Sequence, residues 1–291
     1  MDSLKIWKSS DFWINRFSSL LSASINLLPG KMTANEIGPN WCEVIEVPVE
    51  LPQMPVEFNG YRIVQISDLH LGSWMDGNRL AKLAEMVNHL QPDLIAITGD
   101  FISSEDPNLE DELVYGLSLL RAPDGITAVM GNHDHRHGLE LVVRALKTVG
   151  IEILNNRSIS INRGKARFWV AGTDSYTEGL ANVQPILRHL PSSEPAILLV
   201  HEPDFADISA ATGRFDLQLS GHTHGGQVVL PILGKLYLPR FGRKYPSGRY
   251  QIRNMTLYTN RGVGMIHLLL RWNCPPEITL FRLRSGDHAG D

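Results

Sequence analysis

Between residues 62 and 149 the chain alternates apolar runs with helical patterns, and this alternation limits the possible fold more than any other feature of its 291 residues. Strand-like runs at 62–67, 93–98 and 126–130 are followed by helical periods at 79–90, 109–120 and 139–149. A βαβα series of this kind predicts an α/β sheet, because parallel strands need a crossover long enough to hold a helix. Each run ends in a polar cluster: Asp68-Leu-His70, then Gly99-Asp100, then Gly131-Asn132-His133-Asp134. Ligands gather at the carboxyl ends of strands in such sheets, so these sequence-distant residues are expected to converge. Short strands dominate the second half, at 151–154, 158–161, 168–170, 196–200, 217–220, 227–230, 255–258 and 277–283, which implies a second, more mixed sheet. Residues 231–248, rich in Gly and Pro, read as a long functional loop.

With 43% apolar and 20% charged residues, the chain can bury a large core without staples. Cys42 and Cys274 are far apart and outside any C-x-x-C spacing, which excludes a disulfide framework and a thiolate zinc site and favours a reducing, cytoplasmic compartment. A formal charge of −4 gives no case for nucleic acid. The charge is uneven, however: residues 217–276 carry eight Lys or Arg and no acid, a local +8 that leaves −12 for the rest. No apolar run approaches the roughly 18 residues of a membrane span. Trp13, Phe17, Leu20, Leu21 and Leu28 follow a helical period interrupted by Asp11 and Arg16, a pattern that fits an interfacial amphipathic helix better than a cleaved signal peptide. Residues 1–55, with Pro48, Pro52 and Pro55 near their end, are therefore expected to be an arm and linker, and residues 56–291 the main domain.

Five clusters carry the chemistry. His201 and Gly221-His222-Thr-His224 join the three named above and bring the set to seven N and O ligands, Asp68, His70, Asp100, Asn132, His201, His222 and His224, plus a His133–Asp134 pair. Two neighbouring dications need such mixed carboxylate and imidazole donors, one carboxylate able to bridge, and open positions. A lone His or a Gly-Asp pair is more often structural. Jointly, this many acids and histidines beside apolar strands would be costly to bury without a cation.

The five clusters, in this order, resemble the signature of the calcineurin-like metallophosphoesterases over residues 62–283. The resemblance implies a four-layer α-β-β-α sandwich of two mixed sheets and a dinuclear, metal-dependent hydrolysis of phosphate or pyrophosphate esters. It also implies that Asp68, His70 and His224 hold one ion, that Asn132, His201 and His222 hold the other, and that Asp100 bridges them. His133 would be the catalytic histidine, with Asp134 as its partner. Mn is the expected ion, with Fe, Zn and Mg also compatible with N/O donors. His135 and His137 are expected in a solvated loop, with substrate contact as the alternative.

Gly221-His-Thr-His-Gly-Gly-Gln227, Arg261-Gly-Val-Gly264 and Pro275-Pro-Glu-Ile-Thr-Leu280 further resemble a bacterial branch that includes UDP-2,3-diacylglucosamine pyrophosphatases and membrane-associated phosphodiesterases. Leu233, Leu236, Tyr237, Leu238 and Phe241 stand among Lys235, Arg240, Arg243 and Lys244, which suits an anionic lipid. The expected substrate is therefore a phosphorylated small molecule or a lipid-linked pyrophosphate, with peripheral contact at the inner membrane surface. A soluble phosphodiesterase or protein phosphatase is the alternative. A non-enzymatic scaffold is disfavoured because every ligand position is filled.

Overall fold

The computed structural model describes residues 41–286, which form two six-stranded mixed sheets and a separate two-stranded hairpin. Across the first sheet the order is β1 (Glu43–Leu51), β14 (Glu277–Ser285), β2 (Arg62–Ile66), β3 (Leu94–Ile97), β4 (Ile126–Ala128) and β5 (Glu152–Ile153). Only the β14–β2 pair is antiparallel. Across the second sheet it is β12 (Gly248–Ile252), β13 (Met255–Thr259), β9 (Leu217–Ser220), β8 (Ala196–Leu199), β7 (Ala166–Gly172) and β6 (Arg157–Arg163). The inner strands β3, β8, β9 and β13 are buried along their whole length; β3 and β8 accordingly read as continuous apolar runs, whereas β9 and β13 are interrupted by the buried polar residues Gln218, Ser220, Thr256 and Thr259.

One core cluster lies between the sheets, where Phe58 and Phe168 meet edge to face at 4.9 Å and Val49, Leu219 and Phe281 pack beside them. A second cluster joins the outer face of the first sheet to helices α1 (Gly77–His89), α2 (Leu109–Leu117) and α4 (Leu139–Thr148). The short helices α5 (Gln184–His189) and α6 (Ala206–Ala211) cover the outer face of the second sheet. Helix, sheet, sheet and helix are stacked in that order, the expected four-layer sandwich.

Helix boundaries follow local chemistry. α1 starts where the Asp76 carboxylate accepts the Arg79 N–H at 2.8 Å, a side-chain cap that satisfies one of the open donors of the first turn. Its stripe of Leu80, Leu83, Ala84 and Val87 is buried against the sheet.

The expected linker differs from residue 43 onward. Glu43–Leu51 is an edge strand of the first sheet, paired in parallel with β14, with Val47, Val49 and Leu51 facing in and Glu46, Pro48 and Glu50 facing out. The period-two pattern is present in the sequence, and Pro48 is compatible with it because an edge strand does not need every N–H. The arm expected over residues 1–40 lies outside the described residues. The loop expected over 231–248 holds β11 (Gly234–Lys235), which pairs with β10 (Val229–Leu230), and its last residue opens β12.

Candidate metal centre

The polar clusters that end β2, β3, β4, β8 and β9 meet between the two sheets' carboxyl ends. Asp68, His70 and His224 form one buried set, and Asp100, His201 and His222 another; within each, one potential ligand atom per residue lies within 4.8 Å of the others. Asp100 stands between the sets, with Oδ2 3.0 Å from His201 Nε2 and 3.6 Å from His70 Nε2. Its Oδ1 accepts the His133 N–H at 2.8 Å. Asn132 opens α3 (Asn132–His137) between two residues that both lie against Asp100, and its buried Oδ1 has no partner among the described residues.

The backbone is shaped for this meeting. Thirteen non-glycine residues among those described have positive φ, and Asp68, His70, Asp100, His222 and His224 are five of them. A left-handed residue with a Cβ costs about 1–2 kcal/mol, so strain concentrated on these candidate ligands points to a functional site. Glycines allow the close approach. A Cβ on Gly131 would strike the Asp100 carboxylate, and one on Gly221 would strike Ser67 and Asp68. Gly221→Ala is expected to cost about 1–3 kcal/mol through overpacking and to weaken metal retention. Thermal melts with and without added metal check this; unchanged melting and metal content would contradict it.

Hydrogen bonds fix which nitrogen of each ring faces the centre. His201 Nδ1 donates to the Thr98 carbonyl at 2.6 Å, His222 Nε2 donates to the Arg240 carbonyl at 2.8 Å, and His70 Nδ1 pairs with Ser103 Oγ at 2.7 Å. That leaves His201 Nε2, His222 Nδ1 and His70 Nε2 as lone pairs, the arrangement in which outer partners orient metal-binding imidazoles. His201 Nε2 has no hydrogen-bond partner although the Asp100 carboxylate is beside it, and His70 Nε2 lies 2.9 Å from His224 Nε2. At His201 and Asp100, acceptor facing acceptor in a dry interior requires a cation or a proton between them.

The titration behaviour agrees. Burial opposes charge on His201, yet the Asp100 carboxylate outweighs it and holds the imidazole well above its ordinary pKa. Burial would raise Asp100, but His201 and its neighbours take that carboxyl well below the usual range. Burial pushes Asp68 up to about 6 and takes His70 and His224 well below normal. The neutral His70 and His224, with His201 sharing a proton with the ionised Asp100, form a donor set in which a divalent ion would take the place of that proton.

Two expectations change. Asp134 does not orient His133, whose buried Nδ1 has no partner among the described residues. As the third residue of α3, Asp134 turns its carboxylate back over the helix start and accepts the N–H groups of Asp100, Phe101, Ile102 and Gly131 at 2.7–3.3 Å. His135 is not in a solvated loop; it is in α3 and binds Asp174 at 2.6 Å. His137 stacks on His133 at 5.4 Å, and His133 in turn meets the edge of His70 at 4.9 Å.

Arg271 went unrecognised in the sequence. It is fully buried and donates to the carbonyls of Arg261, Gly262 and Gly264, with its guanidinium 3.3 Å from His224 Nδ1. A single Arg closing the apolar run at 268–272 was the available signal. The local +8 is also partly consumed by ion pairs, since Arg261 pairs with Glu277 and Glu43, and the exposed Lys244 with Asp207.

The family model of the calcineurin-like phosphoesterases matches residues 61–226. Over 286 residues the chain is 34% identical to a Bacillus subtilis (strain 168) protein named uncharacterized metallophosphoesterase YkuE, covering 97% of this chain and 99% of that one. It is 28% identical over 271 residues to phosphodiesterase YaeI of Escherichia coli (strain K12), covering 92% and 98%. A Danio rerio transmembrane protein with metallophosphoesterase domain is 31% identical over 84% of this chain and 57% of its own length. The chain belongs to the calcineurin-like phosphoesterases and is a metal-dependent phosphoester hydrolase.

Proposed function

We propose that the chain hydrolyses a phosphodiester or pyrophosphate bond in a lipid-linked substrate, of which UDP-2,3-diacylglucosamine is the type, using two divalent ions with Mn as the first choice. In this reading Asp68, His70 and His224 hold one ion, Asn132, His201 and His222 the other, and Asp100 reaches both. The observation that carries it is the pair of buried, unpartnered donor atoms at His201 Nε2 and Asn132 Oδ1, each beside Asp100 or a residue bonded to it. When bound, the ions would supply Lewis acidity toward a phosphoryl oxygen and lower the pKa of water enough for hydrolysis at neutral pH.

The protein's own groups do the rest. The Thr98 and Arg240 carbonyls hold the imidazoles in the ligating tautomer, and Asp134 holds the β3 end and the start of α3 in register. Burial lowers His133 to about 4, so near neutral pH it is an uncharged ring able to donate one N–H to a phosphoryl or leaving oxygen. His133→Ala is expected to retain metal and lose turnover by about 10²–10⁴-fold. Metal analysis beside steady-state rates checks this, and an emptied site would assign His133 to metal binding instead.

The lipid reading is supported by exposed Leu233, Leu236 and Tyr237 close in sequence to His222 and His224; the phosphodiesterase name of a relative similar over nearly its whole length supports the diester chemistry alone. Such a substrate would bring the protein to the inner membrane surface peripherally; no helix among the described residues is long and apolar enough to cross a membrane. Turnover of UDP-diacylglucosamine, nucleotide cyclic diesters and a phosphopeptide should be compared with defined metals. A clear preference for the phosphopeptide would end the lipid reading.

A further inference from the structure

A small apolar lobe stands apart from the three large cores. Val228 and Trp272 form its buried centre, with Leu230, Leu268 and Leu270 half-buried around them. Beyond these the side chains open to solvent: Ile232 is 105% exposed, Leu233 74% and Leu269 54%. Isolated exposed apolar residues need no explanation, but a contiguous lobe of them does. Its two halves are built to stay together. Val229 N–H donates to the Trp272 carbonyl at 2.9 Å, and the Gln227 side chain donates to the Ile266 and Leu268 carbonyls while accepting the Ile266 N–H.

The lobe is also tied to the metal centre. Gln227 follows His224 by three residues, and Arg271, which follows Leu270 directly, lies against the His224 ring and backbone. The described chain enters at the same end, since the Glu43 N–H bonds the Pro276 carbonyl at 2.9 Å.

We propose that this lobe is an insertion surface for an anionic lipid bilayer and that it holds the metal centre at headgroup depth; the second half of the proposal rests on the hydrolase reading above. Charge selects the occupant. Residues 217–276 contain no Asp or Glu, and Arg240 and Arg243, which lie between β11 and β12 along the chain, are exposed. Anionic headgroups complement that field. A second copy of the chain docked through the same face would set like charges against each other, which penalises association.

The test uses the full chain with Leu233→Cys carrying a polarity-sensitive fluorophore. Native Cys42 and Cys274 are only 7% and 3% exposed, and burial pushes the Cys42 thiol up to about 12, so labelling is confined to the new site. With vesicles containing phosphatidylglycerol, the emission should shift to the blue and be quenched several-fold by brominated acyl chains. Purely zwitterionic vesicles should give a much smaller shift, and a label at Lys147→Cys, in the last turn of α4, should give none. An unchanged spectrum with anionic vesicles overturns the proposal. So does a shift that follows protein concentration without lipid, which would mean a second copy, or an emission already blue and indifferent to vesicles, which would mean cover by residues 1–40. Hydrolysis of a water-soluble aryl diester by the same labelled protein separates the two readings. Turnover without a shift sinks the bilayer surface alone, and a shift without turnover sinks the hydrolase reading alone.

Discussion

Asp100→Asn is expected to lower phosphoester turnover by more than about 10⁴-fold and to release bound metal in the same step. The substitution is nearly isosteric, so a side-chain oxygen can still accept the His133 N–H that now bonds Oδ1 at 2.8 Å, and the start of α3 should hold. The other position is lost. An amide N–H placed where Oδ2 lies 3.0 Å from His201 Nε2 would donate into the lone pair meant for an ion, and the negative charge shared by both ligand sets would be gone. Elemental analysis, circular dichroism melting and turnover on one preparation read the three effects separately. A variant with normal metal content and normal rate would show that the carboxylate is not shared.

Asp134→Ala should act on the fold, with an expected loss of about 3–5 kcal/mol of stability. Its carboxylate gathers four backbone N–H groups, from Asp100, Phe101, Ile102 and Gly131, in an interior where water cannot replace it. Leaving those donors unsatisfied should loosen the β3 end and Gly131 together, so metal affinity falls with stability. Asp134→Asn keeps one acceptor oxygen and should lie between the two. Chemical denaturation of both variants checks the order. A well-folded Asp134→Ala protein with full metal and slow turnover would instead return Asp134 to the role of a partner for His133.

How far the sequence could be read is clearest from the places where it misled. The strands β2, β3 and β4 and the helices between them were legible because period and length agree, with ends off by one to three residues where the last turn frays. Strand β1 was hidden by Pro48, Pro52 and Pro55, although Val47, Val49 and Leu51 alternate correctly. The proline signal is local, and the pairing with β14 that decides the matter lies more than 200 residues away. At the centre, the ligand types were legible as short motifs, and the structure gathers Asp68, His70 and His224, and Asp100, His201 and His222, into two sets.

The groups that orient these ligands were not legible, for a physical reason. Thr98 and Arg240 act through backbone carbonyls, which every residue possesses, so no side-chain pattern announces them. Asp134 was legible as a polar residue beside His133, but adjacency in sequence says nothing about direction within a helical first turn. The left-handed φ of five candidate ligands is likewise imposed by tertiary contacts and leaves no mark on residue type.

The most direct test of the central claim is an anomalous diffraction map of crystals grown with manganese and collected at its absorption edge. Two separate peaks are expected, one among Asp68, His70 and His224 and one among Asn132, His201 and His222, with Asp100 in contact with both. An empty map at saturating manganese, or density that avoids Asp100, would contradict the account.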